Sequence, residues 1–195
     1  GLGVTGLADA LIQCQVHYGS AEAVRLTGQW LQCLRDTAYR ASVALAAAKG
    51  PFSQFDRDAY LARPMIRCLP ADLQEAIGRH GIRNALVTSI APTGTISLFA
   101  GNVSSGIEPV FAHRYSRAVL LPDGGRRTEQ VEDYAVALFR RRHGPEAPLP
   151  DYFVESAALP PGAHLAIQAA AQQFIDSAIS KTVNCPADLP FEAFK

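Results

Sequence analysis

From Ser20 to Gly50 the chain keeps a helical spacing of apolar residues without a break. Ala23, Leu26, Trp30, Leu31, Leu34, Ala38, Ala41, Leu45 and Ala48 sustain one stripe for about eight turns. Ser20 stands where an N-cap oxygen is needed, Glu22 puts a carboxylate in the first turn, and Lys49 puts a cation in the last. Gly50 is placed to cap the end and Pro51 stops continuation. Any fold of this chain has to be built on that helix.

The rest reads as a helix-rich α/β arrangement. Residues 4–17 have apolar positions at helical spacing, and 51–69 read as a loop with one helical turn near Asp56–Leu61. A short helix is expected over Pro70–His80, stopping at Gly81. Ala85–Ala91 is apolar and β-branched, as a buried parallel strand would be. Pro92–Ser97 then forms a sharp turn, Ile96–Ala100 start a short helix, and Gly101–Gly106 form an irregular loop. Tyr115–Leu121 alternates before the turn signal Pro122–Gly125, which predicts a hairpin. Glu129–His143 reads as an amphipathic helix, the proline-rich residues 145–151 as a linker between elements, and Gly162–Phe174 as the last long helix. Ser180–Asn184 reads as a strand ending at Cys185-Pro186. Strands alternating with helices predict an α/β fold with a largely parallel sheet, although few strands serve many helices.

Composition narrows the function. The 195 residues, 48% of them hydrophobic, can fill the core of one domain. Eighteen basic and eighteen acidic side chains leave no net charge, which argues against a nucleic-acid binder working through bulk charge. Charged residues are only 18%, below the usual quarter, as expected of a surface that is partly covered. No run approaches ~18 uninterrupted apolar residues, so no membrane span is expected, and no signal peptide is visible. Cys14, Cys33, Cys68 and Cys185 form no C-x-x-C pair, which favours a reducing cytoplasm and plain structural roles as buried or half-buried side chains. The five histidines are scattered and read as surface or helix-end residues, with no metal site. Arg140–His143 reads as the solvated end of a helix. The abrupt opening on a glycine motif, and the stop at Phe194-Lys195 just as a helix begins at Pro190, read as a piece of something longer.

Two glycine motifs invite a ligand. Gly1-Leu-Gly3-Val-Thr-Gly6 matches G-x-G-x-x-G, but it lacks the preceding strand and the acidic residue about 20 positions on that a dinucleotide fold needs. Its glycines read as packing at a helix start. Pro92-Thr93-Gly94-Thr95-Ile96-Ser97 is more informative. Gly94 lets a ligand approach the backbone, and the N–H groups of Gly94 to Ser97 are those a helix N-terminus leaves free for an anion. The hydroxyls of Thr93, Thr95 and Ser97 add neutral donors, and with no Lys after the glycine this is not a Walker loop.

The runs GLGVTGLADAL (1–11), HGIRNALVTSIAPTGTIS (80–97), IAPTGTISLFAGNVSSGIEPVFA (90–112), LPDYFV (149–154) and SAISKTVNCP (177–186) together resemble the large catalytic subunit of ribonucleotide reductases. The resemblance covers essentially the whole chain and is nearest to the adenosylcobalamin-dependent, class II branch. It implies that residues 1–195 are one partial domain, the later part of a ten-stranded α/β barrel. It implies that Thr93, Gly94, Thr95, Ile96 and Ser97 form the substrate-phosphate loop. Ser105, Gly106 and Glu108 belong to a second family motif, with Glu108 read as a hydrogen-bonding support and not as an acid or base.

The resemblance further implies an oxidoreductase that turns ribonucleotides into deoxyribonucleotides for DNA replication by thiyl-radical chemistry. The full-length enzyme would use adenosylcobalamin and electrons from a thioredoxin-like donor. The finger-loop motif of the family, of the type Asn-Pro-Cys-Gly-Glu, occurs nowhere here. Asn184-Cys185-Pro186-Ala187 does not replace it, and none of the four cysteines carries a radical signature. No catalytic residue is therefore expected in this chain, which alone should bind no cofactor and be inactive, with the remainder of the barrel as its partner. The alternatives are a metal-radical (class I) large subunit, a non-catalytic nucleotide-binding half of a split enzyme or remnant, and an unrelated phosphate-binding domain.

Overall fold

In the computed structural model, residues 1–120, 122–185 and 189–194 are described. The helices are α1 (Leu7–Gln13), α2 (Ala21–Lys49), α3 (Arg57–Leu61), α4 (Pro64–Arg67), α5 (Ala71–His80) and α6 (Gly94–Phe99). A hairpin follows, β1 (Arg114–Leu120) and β2 (Arg126–Glu132), then α7 (Tyr134–His143), a 3-10 turn at Ser156–Ala158, α8 (Pro161–Gln172) and α9 (Phe191–Phe194). No helix among the described residues is long and apolar enough to cross a membrane. The chain divides into two compact units: residues 1–3, 25–91 and 168–179, and residues 4–24, 92–167 and 180–195.

The long helix forms where its sequence places it, and Ser20 Oγ accepts the amide of Ala23 at 3.1 Å as its cap. Its buried face differs from the apolar stripe. Ala23, Thr27, Leu31, Arg35, Ala38, Tyr39, Ser42, Val43 and Ala46 are buried, while Ala41, Leu45 and Ala48 are exposed. Two of its polar residues have partners: Arg35 pairs with Asp36 at 2.8 Å and lies 5.1 Å from the centre of the Phe174 ring, and the Ser42 hydroxyl donates to Asn84 Oδ1 at 2.9 Å. The Thr27 hydroxyl, in contrast, is buried with no hydrogen-bond partner among the described residues. In the first unit, Tyr39, Val43, Tyr60, Ile66, Leu69, Leu73, Ile77 and Ile82 make the core, with Phe52 and Phe55 against it. Here the expected 51–69 loop also holds α4, started by Pro64 at its first turn.

The expected strand at Ala85–Ala91 is reduced to two parallel bridges, Leu2↔Thr88 and Ile90↔Ile179. The reason is a side chain. Asp176 accepts the amides of Val87 (2.7 Å) and Thr88 (3.0 Å), and the Tyr39 hydroxyl donates to it at 2.7 Å. Those amides are spent on a carboxylate instead of a ladder. Gly3 lies so close to this segment that a Cβ there would stand 2.3 Å from Ser89 O, which accounts for the glycine in the opening motif.

In the second unit the hairpin is antiparallel, with Arg114 opposite Glu132 and Arg117 opposite Glu129. Glu129–Glu132, expected to be helical, therefore belong to β2. The helix begins at Tyr134 because Asp133 caps it, accepting the amides of Ala135 (3.0 Å) and Val136 (3.3 Å). The only sheet among the described residues is this two-stranded one, so the largely parallel sheet is not present. Ser180–Asn184 forms no strand either, since Thr182 N–H and C=O are bound to Glu108 and Lys181 side chains. Leu121 and Pro186, read from the sequence near strand ends, lie outside the described residues, as does Ala187.

Two expectations about single side chains also change. All four cysteines are free and exposed; Cys33, for example, falls off the buried 23-27-31-35 row of α2. His164 is wholly buried, with its Nδ1 2.9 Å from Lys181 Nζ and its Nε2 without a hydrogen-bond partner among the described residues.

Candidate functional site

The second unit encloses a cleft of about 640 Å³ lined by Gly94, Thr95 and Ser97 from the start of α6, by Ser105 and Glu108, and by Tyr115 and Arg117 of β1. Asp133, Ser156, Thr182 and Asn184 complete its polar wall. Among the described residues no group of His, Cys, Asp or Glu gathers to hold a metal ion.

The turn into α6 is fixed by a chain of hydroxyls. Thr93 has φ 51°, ψ 20°, a left-handed conformation that a β-branched residue adopts only when its surroundings hold it there. Gly106 N–H donates to Thr93 Oγ1 at 2.7 Å, and Thr93 Oγ1 lies 2.9 Å from Thr5 Oγ1. Thr5 sends its single proton to Ser104 O at 3.0 Å, so Thr93 is the donor to Thr5. The Thr93 hydroxyl is thus spent within the protein.

Ser97 is buried and similarly engaged. Its hydroxyl donates to Gly94 O at 3.0 Å and receives the Ser105 hydroxyl at 3.1 Å, while its amide closes the first helical bond to Thr93 O at 2.7 Å. The amides ahead of the helix's own ladder are those of Gly94, Thr95 and Ile96. Gly94 has nothing within 4 Å of where a Cβ would stand, so its backbone is open to an approaching group. Thr95 lines the cleft with its side chain exposed, whereas the Ile96 side chain is 59% exposed and is not among the lining residues.

Glu108 is held from two sides, by Lys181 Nζ at 2.5 Å and by the amide of Thr182 at 2.7 Å. Lys181 is buried, with its side chain 1% exposed. Burial pushes its ammonium below the usual lysine range, against the pull of Glu108. Burial and the neighbouring Lys181 push the His164 imidazole down as well, so a neutral ring accepts a hydrogen bond from Lys181 Nζ at Nδ1. Glu108 thereby ties residues 180–184 to the cleft wall.

Sequence reading missed the carboxylate that anchors the loop from behind. Asp9, 2% exposed, accepts the amides of Ser104 at 2.7 Å and Ala135 at 3.0 Å. Burial raises its pKa. Asp133, 3% exposed, is pushed up to about 7 by burial and then by Asp9. An Asp directly before an apolar helical run is a cap signal, and it was available in the sequence for Asp133; nothing marks Asp9.

The chain matches, over residues 1–195, the family described as the ribonucleotide reductase barrel domain. It belongs to that family. It is 37% identical over 207 residues, covering 96% of this chain and 26% of the relative, to a vitamin B12-dependent ribonucleoside-diphosphate reductase of Mycobacterium tuberculosis. A protein of the same description from Thermoplasma acidophilum is 32% identical over 96% of this chain and 24% of its own length. A ribonucleoside-diphosphate reductase large subunit of Caenorhabditis elegans is 35% identical, but over 63% of this chain and 17% of its own length. The chain thus spans about a quarter of the length of the first two of these curated relatives.

Proposed function

We propose that this chain is the later part of the ten-stranded catalytic barrel of an adenosylcobalamin-dependent ribonucleotide reductase, and that it grips the phosphates of a ribonucleoside diphosphate. The observation that carries the reading is the open first turn of α6, whose residues Gly94 and Thr95, with amides ahead of the helical ladder, line a cleft of nucleotide size. Thr93, Ser97, Ser105 and Gly106 hold that turn in shape, and Glu108 supports the wall beside it. The cobalamin branch is supported by relatives of that name matching 96% of the chain, against 63% for the Caenorhabditis elegans large subunit.

The chemistry belongs to the whole enzyme. Fixing the phosphates places the ribose before a radical arrives, which is where this chain contributes to rate. The cleft suits a nucleotide; a corrin with its side chains is several times bulkier, so no corrin cradle is assigned to these residues. Adenosylcobalamin and the radical cysteine are assigned to the remainder of the barrel, and the electrons to a thioredoxin-like dithiol. Four free, exposed cysteines suit a reducing cytoplasm.

Calorimetric titration with cytidine diphosphate and with cytidine tests the phosphate grip. The diphosphate should bind and the nucleoside should not. Gly94→Ala has room for its methyl within the fold but sets it where the phosphate approaches, so it should weaken diphosphate binding roughly tenfold or more with an unchanged melting temperature. Equal binding of cytidine, or an unaffected Gly94→Ala, overturns the reading.

A further inference from the structure

Arg117 is the one Lys, Arg or His side chain among the described residues that line the cleft. Successive side chains of a strand point to opposite faces, so Tyr115 and Arg117 share a face of β1, and both line the cleft. That face is anchored: the Tyr115 hydroxyl donates to Asn102 Oδ1 at 2.8 Å, and the Tyr115 ring meets Phe111 edge-on at 6.1 Å between centroids.

The acidic residues around Arg117 are already committed. Glu129 stands opposite it on β2, but accepts from Arg127. Glu108 is bound by Lys181 and Thr182, and Asp133 is turned onto the amides of α7. Elsewhere in the unit Arg114 and Arg140 both pair with Glu132. The Arg117 side chain makes no hydrogen bond or ion pair among the described residues. A guanidinium left unpaired beside a cleft of amides and hydroxyls is suited to a planar, two-oxygen grip on a phosphate.

Building on the proposed phosphate grip, we infer that Arg117 binds the second phosphate of the nucleotide, and so sets a preference for diphosphates over monophosphates. The short turn at α6 offers its amides to one phosphate group, and a second group carries the added negative charge that Arg117 meets from the hairpin. Arg117 is a binding and specificity residue and takes no part in bond making.

The test compares cytidine 5′-monophosphate with cytidine 5′-diphosphate by calorimetry on the chain, on Arg117→Gln and on Arg117→Lys. The residue is exposed on a hairpin, and an unchanged circular dichroism spectrum and melting temperature establish that each variant folds. The chain should bind the diphosphate more tightly than the monophosphate. Arg117→Gln should lose diphosphate affinity roughly tenfold with monophosphate affinity unchanged, and Arg117→Lys should lie between, because it keeps charge without the fork. Wild-type diphosphate affinity in Arg117→Gln, or equal losses for both nucleotides, overturns the inference while the phosphate grip stands. If the wild-type chain binds neither nucleotide, the grip itself fails and Arg117 falls with it.

Discussion

Asp133 does two things with one carboxylate: it caps α7 and lines the cleft, at 3% exposure beside the buried Asp9. With its pKa pushed up to about 7, the folded chain keeps a proton that an unfolded chain gives up near pH 4. Between those values the folded state binds more protons, so stability falls as pH rises from about 4 through 7, by at most about 4 kcal/mol. Asp9 shifts the same way and adds to the slope. Asp133→Asn keeps a capping oxygen and removes the titration, so it should flatten the dependence. Denaturant midpoints at pH 5 and pH 8 decide this: a wild-type chain equally stable at both, or a variant as steep as wild type, refutes it. Such residues show why part of the site was illegible. The turn into α6 was legible as a turn, because a glycine among hydroxyls after an apolar run is a local pattern, but that the Thr93 and Ser97 hydroxyls are spent within the protein was not. Asp9 and Lys181 act on partners 95 and 73 positions away, and no local pattern encodes that distance.

At the scale of elements, the helices were legible where their stop and start residues are sharp. Ser20, Gly50 and Pro51 bracket α2, and Gly81 ends α5. Helix α2 was found but rotated, because Thr27, Arg35 and Ser42 take buried positions that an apolar stripe cannot forecast. The extended segments failed for one physical reason. Asp176 takes the amides of Val87 and Thr88, while in the 180–184 stretch Glu108 takes the amide of Thr182 and Lys181 Nζ donates to its carbonyl, so neighbouring chain is deprived of ladder partners. The hairpin is the exception, since its turn and alternation are local. A two-stranded ribbon with exposed faces is marginal alone, whereas the centre of α2 lies over a packed core. Hydrogen exchange should therefore show the amides of Arg114–Leu120 exchanging orders of magnitude faster than those of Leu31–Val43. Equal protection in the two stretches shows the hairpin to be firmer than its contacts warrant.

At the scale of the molecule, the chain is a barrel-domain segment that aligns with about a quarter of its cobalamin-dependent relatives, and its exposed apolar side chains fit that position. Phe99 is 95% exposed, Phe111 72% and Ile96 59%, around the same α6 turn that opens on the cleft. These are the side chains that the remainder of the barrel would cover on the proposed reading. On the proposed reading the radical cysteine sits in a finger loop, and no motif of that type stands in these 195 residues. Binding and chemistry are therefore separable in an experiment. Ribonucleoside-diphosphate reduction with adenosylcobalamin and a dithiol should be undetectable with this chain alone and should appear when the upstream half of the barrel is added. Turnover by the chain alone would place a radical cysteine among Cys14, Cys33, Cys68 and Cys185, against everything around them. A stable complex of the two halves that stays inactive with cobalamin, yet turns over with a metal-radical subunit, would move the protein to the other branch of the family and leave the phosphate grip where it is.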